Sequence, residues 1–265
     1  MGPYRRALAV SDDPRRLLAR YLAQRRTLGW ERLVLEDRPA AELLAALRPH
    51  PPSPASAATA HPGGEPTLRE SLARIGSLEE LAAVAVRCTR CRLAATRQHV
   101  VVGEGPSQAL VAVVGEAPGG EEDRTGRPFV GPAGRLLDQL LESVGLPREE
   151  VYICNVLKCR PPNNRNPYPD EIDACRPYLE RQLELVAPHV VLAAGTFAAQ
   201  TLLGTNLPIG RLRGHVHRTT RWPVVPTYHP AALLRNRSWI RAAWEDLQRL
   251  RAVLDERLAD RVGEG

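Results

Sequence analysis

The chain has 265 residues, 43% of them hydrophobic and 25% charged, with a formal net charge of +6, a balance that suits one large soluble domain or one domain plus an appendage. No apolar run approaches the ~20 residues of a membrane helix, and the opening MGPYRRALAVSDDP lacks the apolar core and small-residue cleavage site of a secretory signal. Five cysteines, an odd number, do not read as a disulfide framework; together these features favour a reducing cytoplasm, and no membrane partner is expected.

In chain order, Asp13 and Pro14 open a helix with Leu17, Leu18, Tyr21, Leu22 and Leu28 at roughly helical spacing. Residues 1–48 are therefore read as an N-terminal helical extension, too small for a core of its own. Residues 49–66, PHPPSPASAATAHPGGEP, have almost no large apolar side chains and read as a linker. The main domain is assigned to residues 67–260. Four apolar runs in it read as buried strands: ALVAVVG (109–115), VYICNV (151–156), HVVLAAG (189–195) and WPVVPTY (222–228). Between them lie a helix in AGRLLDQLLESVG (133–145), one within DEIDACRPYLERQLELV (170–186), and FAAQTLLG (197–204) with Thr196 as its cap. A last helix runs from about Ser238 towards Arg257. This alternation predicts an α/β fold, a three-layer α/β/α sandwich around a four-stranded, mostly parallel sheet. In such sheets ligands bind beyond the carboxyl ends of the strands.

Those ends carry unusual polar sequence. The first strand runs into GEAPGGEED (115–123) and RTGRPFVG, the second into Asn155 and KCRPPNNRNP, the fourth into YHPAALLRN (228–236). Each alone is an ordinary strand-to-helix turn. Together they bring Glu116, Asn155 and His229 to one edge. Upstream, VRCTRCRLAATR (86–97) holds a C-x2-C pair, Cys88 and Cys91. Two thiolates at that spacing can hold a metal, and four cysteines would fit zinc or an iron–sulfur centre equally. Cys154, inside the second strand, reads as buried packing. The basic residues are nearly all arginine, with Lys158 the single lysine, and guanidinium forks suit phosphate oxygens, which allows a nucleic-acid partner.

The segments GEAPGGEEDRTGRPFVGPAG, NVLKCRPPNNRNP, CRPYL and YHPAALLR, with the C-x2-C, resemble the family 4 uracil-DNA glycosylases, the iron–sulfur branch of the uracil-DNA glycosylase superfamily, over about residues 80–255. The resemblance implies a 4Fe–4S cluster on Cys88, Cys91, Cys159 and Cys175, with a structural role. It implies a monomer acting on uracil-containing DNA, single- or double-stranded. The activity would be that of a monofunctional enzyme that flips uracil out, hydrolyses its N-glycosidic bond and leaves an abasic site for base excision repair.

The resemblance also assigns roles. Phe129 stacks on the base, and Asn155 reads its edge, since the amide pairs one acceptor and one donor with uracil N3–H and O4. His229, as a neutral imidazole, donates to O2 of the leaving anion, helped by backbone N–H groups of the turn containing Ala117 and Pro118. Ala117 stands where the best-known branch of the superfamily has an Asp, so Glu116 becomes the group that polarises or orients water. Glu122 walls the pocket near uracil C5, and Asp123 caps or orients the loop. Leu233, Leu234 and Arg235 supply the wedge that enters the vacated stack. The alternative for the two leucines is inward packing at the start of a helix. Arg160, Arg165, Arg211, Arg213 and Arg218 are candidates for phosphate contacts. Two rival readings are a relative that traps uracil-containing DNA covalently and a non-catalytic iron–sulfur DNA-binding protein. The first carries a His-bearing basic insert after the second strand, which CRPPNNRNP lacks. The second is opposed by Glu116, Phe129, Asn155 and His229 occurring together.

Overall fold

In a computed structural model of the chain the described residues are 67–263. The N-terminal helical extension (1–48) and the linker (49–66) lie outside them. Five strands form one sheet: Val111–Gly115 (β1), Val151–Asn155 (β2), Val190–Ala194 (β3), His217–Arg218 (β4) and Pro223–Thr227 (β5). Their order is β2-β1-β3-β5-β4, with every pairing parallel except β4 against β5. The predicted four strands are thus present, and the fifth is a correction. β4 is two residues long and lies on the sheet edge, too short to write any periodicity into the sequence.

The helices are Leu68–Ala73 (α1), Leu78–Ala85 (α2), Gly120–Thr125 (α3), Pro132–Glu142 (α4), Pro169–Val186 (α5), Thr196–Leu203 (α6), Ile209–Leu212 (α7), Pro230–Arg235 (α8) and Ile240–Gly263 (α9). Both faces of the sheet are covered. On β1, Ala112 and Val114 pack with Leu179, Leu183 and Ala198 of α5 and α6. Val111 and Val113 face the other way, towards Leu137 and Leu141 of α4 and Leu247 of α9. That alternation is the period-2 geometry of a strand buried on both sides. Each fully buried leucine contributes about 1.5–3 kcal/mol.

Two further features position the site. α1 and α2, capped by Thr67 and Ser77, pack through Leu72, Leu81 and Ala85 against Tyr178 of α5. This docking brings the C-x2-C segment beside α5. Secondly, the cap of α6 is Gly195, not Thr196, which is the first helical residue. Gly195 has φ +99, a region L side chains rarely adopt, and a Cβ there would sit 3.0 Å from the His229 Cβ. The glycine both turns the chain into α6 and lets the His229 loop approach.

Candidate active site and cysteine cavity

β1 and β2 run in register with Gly115 opposite Asn155, and β5 ends at Thr227, two residues before His229. The carboxyl ends of the adjacent β2 and β1 and of β5, one strand further across β3, therefore open onto one crevice. Its volume is about 330 Å³, and Glu116, Ala117, Pro118, Glu122, Phe129, Asn155 and His229 all line it, with Arg235 at its rim.

Asn155 is 2% exposed. Its Oδ1 is buried and, among the described residues, accepts no hydrogen bond. Leaving a buried acceptor unpaired costs about 1–3 kcal/mol, so the cleft is built to receive an N–H donor there. Phe129 is nearly buried at φ +51. Its ring and the His229 imidazole form a stacked pair with centroids 5.7 Å apart and 28° between planes. Gly115 makes this convergence possible, because a Cβ there would overlap both Asn155 Oδ1 and the Phe129 ring. Gly134 does the same for the Phe129 carbonyl. Arg148 donates to the carbonyls of Phe129 (3.1 Å) and Pro128 (2.7 Å) and to Asp138 (2.9 Å), holding this strained turn.

His229 caps α8. Its Nδ1 accepts from Ala231 N–H at 3.2 Å. A neutral imidazole that accepts at Nδ1 carries its proton on Nε2. Burial, aided by the positive charge of Arg235, pushes its pKa down to about 4, so the ring is neutral near pH 7. Glu116 shows the opposite displacement: burial raises its carboxyl above the ordinary glutamate range, against the pull of Arg235. Glu122 accepts from three backbone N–H groups, Val130 and Gly131 at 3.0 Å through Oε1 and Gly119 at 3.1 Å through Oε2. It cross-links the two loops that form the cleft wall. Asp123 Oδ1 accepts from Gln98 N–H at 2.9 Å and from His99 N–H at 3.4 Å, anchoring α3 to the preceding segment.

A separate cavity is lined by Cys88, Cys91, Cys159 and Cys175 with Arg97, Lys158 and Tyr178. Arg97 donates to Cys159 Sγ at 3.4 Å, and the backbone N–H of Lys158 to Cys175 Sγ at 3.3 Å. N–H donors aimed at sulfur suit thiolate ligands, whose negative charge they stabilise. Cys154 is fully buried in β2 and outside this group. Among the described residues no three His, Cys, Asp or Glu side chains converge as ligands of one ion.

A sequence profile described as the uracil DNA glycosylase superfamily matches residues 102–248. A type-4 uracil-DNA glycosylase of Archaeoglobus fulgidus is 47% identical over 168 residues, covering 60% of this chain and 83% of that protein. One from Thermotoga maritima is 46% identical over 172 residues, covering 63% and 90%. The chain belongs to the type-4 uracil-DNA glycosylases. A type-5 uracil-DNA glycosylase of Pyrobaculum aerophilum is 33% identical over 147 residues, covering 49% of this chain and 64% of that protein.

In this type-4 glycosylase the segment after His229 departs from the expected wedge. Leu233 is 0% exposed and packs in the core beside α4, so the cleft-side geometry removes it from the wedge candidates. Leu234 is 43% exposed, and Arg235 is exposed beside it. Helical geometry explains the split: adjacent residues on α8 point about 100° apart, so one leucine serves the core and the next faces out. Arg213 is a second correction. Its guanidinium holds the fully buried Asp246 at 2.9 Å through two bonds, and Asp246 also accepts from Thr227 Oγ1 at 3.0 Å. That arginine fastens the end of α7 to α9, while Thr227 ties β5 to the same carboxylate, and it is not free for phosphate. Arg165 pairs with the buried Glu171 and stacks on Tyr168 at 3.8 Å, yet still lines the cleft. Arg218 pairs with Glu256 at 3.2 Å, Arg160 donates to Asn164 at 2.8 Å, and Arg211 is exposed. Sequence reasoning missed Gly115, Gly134, Gly195 and Arg148. For Gly115 and Gly195, a glycine where a strand meets a turn was the available signal.

Proposed function

We propose that the protein is a monofunctional uracil-DNA glycosylase, releasing uracil by hydrolysis and leaving an abasic site for base excision repair. The observation that carries this reading is the buried, unpartnered Asn155 Oδ1 at the floor of the cleft. Uracil N3–H satisfies it, while cytosine presents an acceptor at N3 and leaves it unpaired. The nucleotide must leave the stack to reach this depth, and Phe129 offers its ring to the flat base.

Breaking the N-glycosidic bond leaves both electrons on uracil, as an anion centred on N1 and O2, and positive character on the sugar. The Nε2–H of neutral His229 donates to O2 as that charge develops. The carboxylate of Glu116 opposes the sugar's positive charge and orients water towards C1′. Water supplies the hydroxyl of the abasic sugar, and the released proton ends on uracil. A covalent amine route has no support: the one lysine, Lys158, is 2% exposed with its Nζ committed to the Asn155 carbonyl at 2.6 Å. Exposure of Leu234 and Arg235 supports them as the residues that enter or flank the duplex.

The reading is tested at Glu116. Glu116→Gln is expected to slow single-turnover excision about 100-fold while leaving the unfolding midpoint near wild type. The wild-type rate should fall on the acid side at a higher pH than an ordinary glutamate would give, because its carboxyl is raised. Near-normal turnover would remove Glu116 from the mechanism. A stable protein–DNA adduct on a denaturing gel would favour covalent trapping.

The four cysteines that line one cavity, with N–H donors aimed at two of the sulfurs, support a 4Fe–4S cluster on Cys88, Cys91, Cys159 and Cys175. The bound cluster would supply a cross-link between the segment after α2, the loop after β2 and α5. Cys159→Ala is expected to lose iron and unfold at a lower temperature. Full iron content in that variant would refute the ligand set.

A further inference from the structure

Lys158 is the chain's one lysine, and it is buried between the two sites just described. The residue lines the cysteine cavity. Its Nζ donates to the main-chain carbonyl of Asn155 at 2.6 Å, and its own backbone N–H donates to Cys175 Sγ at 3.3 Å. Its carbonyl accepts from Val101 N–H at 2.8 Å, and its sequence neighbour is Cys159. Among the described residues no carboxylate stands within ion-pair distance of its ammonium.

A buried ammonium without a countercharge is costly, since one carbonyl dipole does not replace its hydration. The excision chemistry gives this lysine no task. The chemistry of the adjoining cavity supplies a countercharge: four thiolates and the cluster's sulfides outweigh the charge on its irons, so the ligated cluster is an anion. We infer that Lys158 is, beside Arg97, a counter-cation of the cluster and a positioning residue for uracil recognition, bridging the cysteine cavity to the Asn155 main chain. The inference rests on the cluster reading above. It gives the cluster a second consequence beyond cross-linking: its charge keeps the ammonium in place, and the ammonium fixes the end of β2 from which the Asn155 amide projects.

Two neutral variants separate the charge from the hydrogen bond. Lys158→Met removes both, and Lys158→Gln keeps a donor that can reach towards the Asn155 carbonyl. Iron and sulfide are measured first in wild type and variants. The cluster's midpoint potential then follows from a reductive titration, and uracil affinity from competition of free uracil against a uracil-containing oligonucleotide. Removing a nearby positive charge disfavours the more negative, reduced cluster, so both variants are expected to show a lower potential. Lys158→Met should also bind free uracil about tenfold more weakly, with Lys158→Gln intermediate and Lys158→Arg close to wild type in potential. A simple packing role would leave the potential unmoved. Iron-loaded Lys158→Met with the wild-type potential overturns the counter-cation role, and unchanged uracil affinity overturns the link to Asn155. If Lys158→Met does not fold, Lys158→Gln carries the same potential test. Wild-type protein lacking iron and sulfide overturns the cluster reading itself, a result distinguishable from the other two.

Discussion

Asn155→Ala is expected to lower single-turnover excision of uracil by about three orders of magnitude. The variant removes the buried amide that pairs with the base edge, and sites that recognise a ligand through buried hydrogen bonds lose about this much when one side is deleted. Stability should change far less, because Oδ1 has no protein partner to lose among the described residues. The measurement is a quench-flow or manual time course with enzyme in excess, paired with a thermal melt. A rate within tenfold of wild type would show that the cleft reads the base by other contacts.

His229→Ala carries the second large effect, about 100- to 1,000-fold in the same assay, the range expected for removing a donor to a developing oxyanion. Its pH behaviour is a separate check. The folded-state pKa lies near 4, against 6.5 for an ordinary histidine. Between those values the unfolded chain binds a proton that the folded chain does not. His229 therefore costs stability progressively as pH falls from about 6.5 to about 4, and none of this penalty is present above that window. Urea midpoints at pH 7.5 and pH 5 should consequently diverge more in wild type than in His229→Ala. Equal divergence would mean that the ring is not held neutral by burial. Excision by wild type should show no His229 titration between pH 6 and 8, since the ring stays neutral throughout.

Much of the architecture was legible because a parallel sheet covered on both faces writes its strands as short apolar runs. VAVVG, VYICN, VVLAA and PVVPT are all fully buried. What escaped was short or polar. β4 contributes two residues; of the six-residue helices, α3 read as loop and α8 as a wedge loop or the start of a helix. The chemical residues were legible through the resemblance, which rests on motifs at strand ends. Their supports were not. Gly115 looked like any turn glycine until Phe129 and Asn155 were seen to converge on it. Arg148 acts on Phe129 from 19 residues away, across a helix. Depth was equally invisible: Leu233 and Leu234 are identical side chains in one motif, and only the phase of α8 against the core tells them apart. The pairing of Cys159 with Cys175 depends on α5 folding back over the loop after β2, a tertiary fact that spacing alone does not contain.

The most direct test of the account is incubation of the purified protein with a labelled oligonucleotide carrying one uracil, followed by alkali. The account predicts a strand break at the uracil, with none at thymine or cytosine in the same position. Intact DNA from folded, iron-loaded protein would contradict it.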